Sequence, residues 1–213
     1  MWQNAETIIL HLGFSVHIYF AQFDYFAMRF SLIDRIDVLQ PGARITAVKN
    51  LSMAEEYLKD HFPGFPVMPG VLMLEAMTQA GAWLIRASED FAHSVVVLKE
   101  ARGVKYGQFV EPGETLRVTA EIISQTDHET VMKARGEVDG KTTVTGRLTL
   151  QRYNLAETQP HKATTDASIK REMRSLLDLL YKPNRRDARN DGPVELGTSV
   201  QNDHPTAVEG PKN

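Results

Sequence analysis

Residues 69–90 read PGVLMLEAMTQAGAWLIRASED. After Pro69 no proline interrupts the run, and a proline in the first turn of a helix is tolerated because its missing N–H had no helical acceptor. The stretch predicts a largely apolar helix, buried on most sides. Downstream, four runs alternate in the manner of strands: Ser94 to Lys105, Thr115 to Gln125, Thr130 to Val138 and Thr142 to Arg152. Pro112-Gly113 and Asp139-Gly140 mark turns between them, and Asp-Gly between alternating segments is a strong hairpin signal. Upstream, Arg44 to Leu51 alternates likewise after a Pro41-Gly42 turn, and Ser52 to Asp60 reads as a short helix or a loop. One buried helix followed by consecutive strands predicts an α+β domain, an antiparallel sheet wrapped around a single central helix. A doubly wound fold is excluded because strands and helices do not alternate.

Beyond residues 28–153 the composition changes. Residues 1–27 are apolar and aromatic, with Glu6 and Asp24 as their only charged side chains. His11, His17, Gln22 and Asp24 interrupt the run from Ile8 to Ala27, and Met1 to Leu10 contains no Lys or Arg, against both a stable membrane span and a secretory signal. It reads as an N-terminal extension or as an early start, with Met28 as the alternative start. Residues 154–213 read as a largely disordered C-terminal tail. Within it, residues 166–180 have Ile169, Met173, Leu176 and Leu177 at helical spacing and allow one short helix. The polar, Asn/Asp/Pro/Gly-rich remainder lacks the apolar surface to offset its ordering entropy.

The chain has 213 residues, 42% hydrophobic and 24% charged, enough apolar material for one core. It has 0 Cys, which excludes disulfides, thiolate metal sites and a thiol nucleophile. A net charge of -3 leans away from nucleic-acid binding. His11, His17, His93, His128, His161 and His204 show no metal-ligand spacing, so no metal site is assigned.

Two titratable residues stand out. Glu75 lies inside the apolar helix, where an ionised carboxylate is costly to bury without a partner. Either it occupies the one wet face or it has a chemical task. His61 opens the Pro/Gly-dense loop HFPGFPVMPG at 61–70, whose prolines restrict the backbone; it is a surface or capping histidine, or a base held in place. At the helix start, Gly70 and Val71 offer unpaired backbone N–H groups and the positive end of a dipole, which suits a developing oxyanion. A base, an acid and an oxyanion site are the parts that proton abstraction beside a carbonyl requires. Gln79, one turn beyond Glu75, either orients it or packs the helix.

The segment His61–Gln79, HFPGFPVMPGVLMLEAMTQ, resembles the signature of the FabZ-type 3-hydroxyacyl-[acyl-carrier-protein] dehydratases, of the FabA/FabZ family. Weaker similarity extends over 28–153, including VKYGQFVEPGETLRV at 104–118; the termini are not covered. The resemblance implies a hotdog fold and the syn elimination of water from a (3R)-3-hydroxyacyl thioester, giving a trans-2-enoyl chain in fatty-acid biosynthesis. It implies that His61 removes the C2 proton, that Glu75 protonates the departing C3 hydroxyl, and that Gly70 holds the thioester carbonyl. It further implies an acyl carrier protein as partner, no cofactor, a cytoplasmic location, and a homodimer or trimer of dimers in which His and Glu of one site come from different subunits.

Three positions depart from the pattern. Asp60 stands where Gly is frequent and would raise the basicity of His61 if their side chains approach. Phe65 replaces a frequent polar residue. Thr78 replaces Ala and is placed to hydrogen-bond near Glu75. Tyr106 is either core or a wall of the acyl tunnel. Arg86, Lys99, Arg102 and Lys105 are either scattered solvated charges or a basic patch for an acidic carrier. A hotdog acyl thioesterase is the alternative enzyme, and a non-catalytic acyl-binding hotdog protein is the alternative outside catalysis.

Overall fold

The computed structural model describes residues 30–183. The readings made for residues 1–27 and for the end of the C-terminal tail lie outside them. Six strands form one antiparallel sheet: β1 (Arg35–Gln40), β2 (Arg44–Asn50), β3 (Val95–Tyr106), β4 (Thr115–Gln125), β5 (Glu129–Val138) and β6 (Lys141–Tyr153). Their spatial order is β1-β2-β4-β5-β6-β3. Helix α1 (Gly70–Ser88) lies against the sheet and touches every strand, and a second helix, α2, spans Ala163–Leu180. One central helix clasped by an antiparallel sheet is the hotdog architecture.

The apolar residues of α1 are not confined to a stripe, and the structure shows why. Every residue from Ala76 to Ile85 is buried, as expected of a helix enclosed on most sides. Trp83, Met77 and Leu84 meet inward residues of the strands, among them Ile45, Leu116, Met132, Leu148 and Leu150. Removing a side chain the size of Trp83 from such a site costs about 3–5 kcal/mol. At Gly81 the helix comes so close to β5 that a Cβ would stand 2.4 Å from the Met132 sulfur. The β5–β6 hairpin turns at Asp139 and Gly140, both with positive φ (49° and 76°), the backbone that a two-residue turn of this hand needs.

Sequence alternation passed over β1. The strand is short, and its pairing with β2 shifts register between Ile36 and Val38, which blurs the period of two.

Residues 154–162, assigned from composition to a structureless tail, instead form two 3₁₀ turns, Leu155–Glu157 and Pro160–Lys162. Helix α2 then begins three residues before Asp166. Asp166 explains the ordering. Its buried carboxylate accepts hydrogen bonds from Ser94 Oγ (2.5 Å), Leu155 N (2.9 Å) and Ala156 N (2.8 Å). Burial opposes its ionisation, but these donors outweigh burial and hold the carboxyl below the usual aspartate range. Its folded-state value is depressed, so the stabilisation is present at neutral pH and is lost as pH falls through that value. Asp166→Ala should therefore loosen 154–182 while β1–β6 stay formed, measured as faster amide exchange confined to α2 and its leading turns. Unchanged protection there would count against the tether.

Among the described residues no helix is long and apolar enough to cross a membrane. The two sheet edges differ. The outer side of β1 meets Tyr181 through a bridge at Ile36, whereas among the described residues β3 pairs only with β6. A 12-residue edge strand with Val97 exposed is an open row of backbone donors and acceptors.

Candidate active site

The loop that carries His61 is built by its prolines and one glycine. Phe62 and Phe65 exchange backbone hydrogen bonds (3.0 and 2.9 Å) across Pro63-Gly64, and Gly64 has φ +80°. Proline then glycine at the centre is the demand of a type II turn, whose second central residue must take positive φ. The His61–Phe62 peptide is cis. Val67 N–H donates to the His61 carbonyl at 2.9 Å, and Met68 N–H donates to Val110 O at 2.9 Å, anchoring the loop to the segment before β4.

Inside this frame the His61 ring lies with Nδ1 3.0 Å from Val67 O. A carbonyl oxygen only accepts, so Nδ1 carries the proton and Nε2 of the neutral ring is the free base. The ring also stacks on Phe62, centroids 4.1 Å apart. His61 is half-buried and lines a cavity of about 480 Å³ with Met68, Gly70, Val71, Tyr106 and Phe109. Phe65 packs edge-on against Phe109 at 5.4 Å. Asp60 is exposed, and no ion pair joins it to His61 among the described residues.

The same cavity meets the first turn of α1. Leu72 and Met73 N–H groups donate to Pro69 O; those of Gly70 and Val71 precede any intrahelical acceptor. The Tyr106 ring packs so tightly on Gly70 that a Cβ there would stand 2.9 Å from it. Tyr106 is thus a cavity wall, not core.

Glu75 lies elsewhere. It is half-buried and lines a second cavity of about 330 Å³, with Gln79, Trp83 and Arg86 of α1 and Val96–Leu98 of β3. Gln79 determines how its carboxylate is held. The Gln79 Oε1 accepts from Leu32 N–H (2.9 Å), which fixes the amide orientation, and Nε2 donates to Phe30 O (3.0 Å) and to Glu75 Oε1 (2.9 Å). The segment before β1 thereby orients Glu75 through one buried amide. Thr78 does not take part: its hydroxyl donates back to Leu74 O at 3.1 Å.

The four cations proposed as a patch are not one surface. Arg86 is in the Glu75 cavity, its guanidinium carbon 5.6 Å from the Trp83 ring centroid. Lys99 pairs with Glu129, and Arg102 with Glu100 at 2.7 Å. Arg102 and Lys105 instead flank a groove with Lys133 and Arg147. Strand register assembles that set, since Arg147 of β6 faces Arg102 of β3 and Lys133 of β5. The groove adjoins Tyr106 through Lys105.

Residues 26–147 match the FabA-like domain family. The chain belongs to this family. Among FabA-like relatives, the 3-hydroxyacyl-[acyl-carrier-protein] dehydratase FabZ of Pediococcus pentosaceus is 39% identical over 117 residues, covering 55% of this chain and 78% of that protein. The dehydratase of the same name from Symbiobacterium thermophilum is 43% identical over 95 residues, covering 45% and 67%. Among solved structures, the dehydratase heterocomplex ApeI:P of Xenorhabdus doucetiae aligns with a TM-score of 0.50 at 18% identity, over 62% of this chain and 90% of that one. That likeness concerns the fold, and it is the FabA-like hotdog described above.

Proposed function

We propose that this FabA-like chain is a cytoplasmic 3-hydroxyacyl-[acyl-carrier-protein] dehydratase of fatty-acid biosynthesis. Its FabZ relatives, at 34–43% identity, carry that name. The observation that carries the chemistry is the Nδ1–H to Val67 O hydrogen bond, which leaves Nε2 of His61 as a base at the start of α1.

In this reading the thioester carbonyl lies against the N–H groups of Gly70 and Val71. The dipole of α1 and those donors stabilise charge developing on its oxygen. His61 Nε2 takes the C2 proton, and the electron pair of that bond becomes the C2–C3 double bond. The C3–O bond breaks, and Glu75, entering protonated, gives its proton to the departing hydroxyl, so water leaves. The enzyme ends with one proton moved from Glu75 to His61, and exchange with solvent resets it. No step requires a cofactor.

His61 and Glu75 of one chain line separate cavities. A site containing both is therefore read as shared, His61 from one subunit and Glu75 from the other. The open β3 edge is suited to antiparallel pairing with a second copy, giving a homodimer or a trimer of such dimers. The groove of Arg102, Lys105, Lys133 and Arg147 beside Tyr106 suits an acidic carrier protein at the mouth of the His61 cavity.

Mass spectrometry of a short trans-2-enoyl carrier incubated with the enzyme is the test. One added water supports the dehydratase. Loss of the acyl chain would identify a thioesterase instead, and carrier binding without chemical change a non-catalytic protein. Gln79→Ala is expected to lower kcat about 10–100-fold, because a carboxylate misplaced by an ångström costs on that order. It should also destabilise the fold by about 1–3 kcal/mol, because Leu32 N–H loses its buried acceptor. Steady-state kinetics and chemical denaturation check the two parts separately.

A further inference from the structure

Arg86 is the unusual group in the Glu75 cavity. Its Nε is buried with no hydrogen-bond partner among the described residues. Arg152 Nε is likewise buried without a hydrogen bond, but it forms an ion pair with Glu89 at 2.6 Å, whereas Arg86 forms no ion pair among the described residues. Arg174 and Arg35 likewise reach aspartates, at 2.6 Å each. Burial pushes the Arg86 guanidinium down to about 10, so it stays charged at neutral pH. A buried charge left unpaired is costly, and a neighbour of opposite charge offsets that cost.

Its position gives the group a direction. Arg86 follows Glu75 by three helical turns, about 16 Å along the axis. Glu75, Gln79 and Arg86 line one cavity with Trp83, Val96 and Leu98. Helical side chains lean toward the N-terminus, and the guanidinium accordingly lies over Trp83, one turn nearer Glu75. A chain with its reacting carbons at Glu75 would run past Trp83 and Leu98 and end at a cation. A purely alkyl end would leave that half-buried cation unpaired. A carboxylate end would pair with it and reach its remaining donors.

We propose that the acyl chains this enzyme takes are ω-carboxyacyl thioesters, their distal carboxylate held by Arg86. The proposal rests on the dehydratase reading and names the substrate class of that same site.

The test is calorimetric binding of suberoyl-pantetheine and octanoyl-pantetheine, chains of equal length that differ in the distal carboxylate, to the full-length protein. Suberoyl should bind about tenfold or more tightly, the increment expected of a charge-assisted hydrogen bond. Arg86→Met should erase or reverse that order. Equal binding in the wild type, or tighter octanoyl binding, overturns the proposal without recourse to any variant; that is the result to expect if a carboxylate of a second copy already occupies Arg86. Hydration of crotonyl-carrier, whose chain is too short to reach Arg86, reports on the dehydratase reading alone. Crotonyl turnover with no suberoyl preference removes only the Arg86 assignment, and a suberoyl preference without crotonyl turnover removes only the dehydratase.

Discussion

His61→Ala is expected to lower kcat for hydration of an enoyl carrier by about 10⁴-fold, the upper range for loss of a general base. The same variant should keep its oligomeric size and lose only about 1 kcal/mol of stability, the net contribution of one hydrogen bond. The asymmetry follows from how the loop is held. The Phe62–Phe65 pair, Val67 N–H to His61 O and Met68 N–H to Val110 O are all backbone bonds that survive removal of the ring. Only the Nδ1 contact to Val67 O and the stack on Phe62 disappear. A matched pair of kinetic and thermal-melting measurements separates the two effects. Activity within tenfold of wild type would remove His61 from the mechanism, and an unfolded variant would show that the ring holds the loop.

The sequence made the central helix and the four downstream strands legible because each carries a long, clean pattern: an uninterrupted apolar run for α1 and period-two alternation for β3–β6. It concealed features that depend on distant partners. β1 is short and bulged, so its alternation is weak. Asp166 looks like any helix-surface acid until the fold brings Ser94, 72 residues away, to its carboxylate. At the site, local chemistry was readable and pairing was not. The proline-rich loop and the glutamate in an apolar helix flagged His61 and Glu75, but no spacing reports that they line separate cavities. Thr78 was misread because a helical threonine finds its own carbonyl four residues back more readily than a side chain at i−3. Arg86 was read as a surface cation because a charged residue near a helix end usually is one; its partial burial arises from Trp83 and from β3, elements that sequence spacing does not bring together.

Mixing two inactive variants should restore activity. His61→Ala alone and Glu75→Gln alone are each expected to fall by several orders of magnitude as homodimers, since each removes one proton-transfer group from every site. In a mixed dimer of the two, one site combines both substitutions and is dead. The other draws His61 from the Glu75→Gln chain and Glu75 from the His61→Ala chain, and is intact. If subunits distribute at random, about a quarter of wild-type sites return, as two-fold symmetry requires. Recovery requires that the two residues cannot meet within one chain, and their separate cavities make that a structural expectation. Co-refolding equal amounts of the two proteins and assaying enoyl-carrier hydration measures it. Recovery near a quarter supports sites shared across the β3 edge. If the mixture is as inactive as its components while native gels show mixed dimers, each site is built from a single chain. Glu75 and His61 then belong to different chemistries, and the elimination scheme loses its acid.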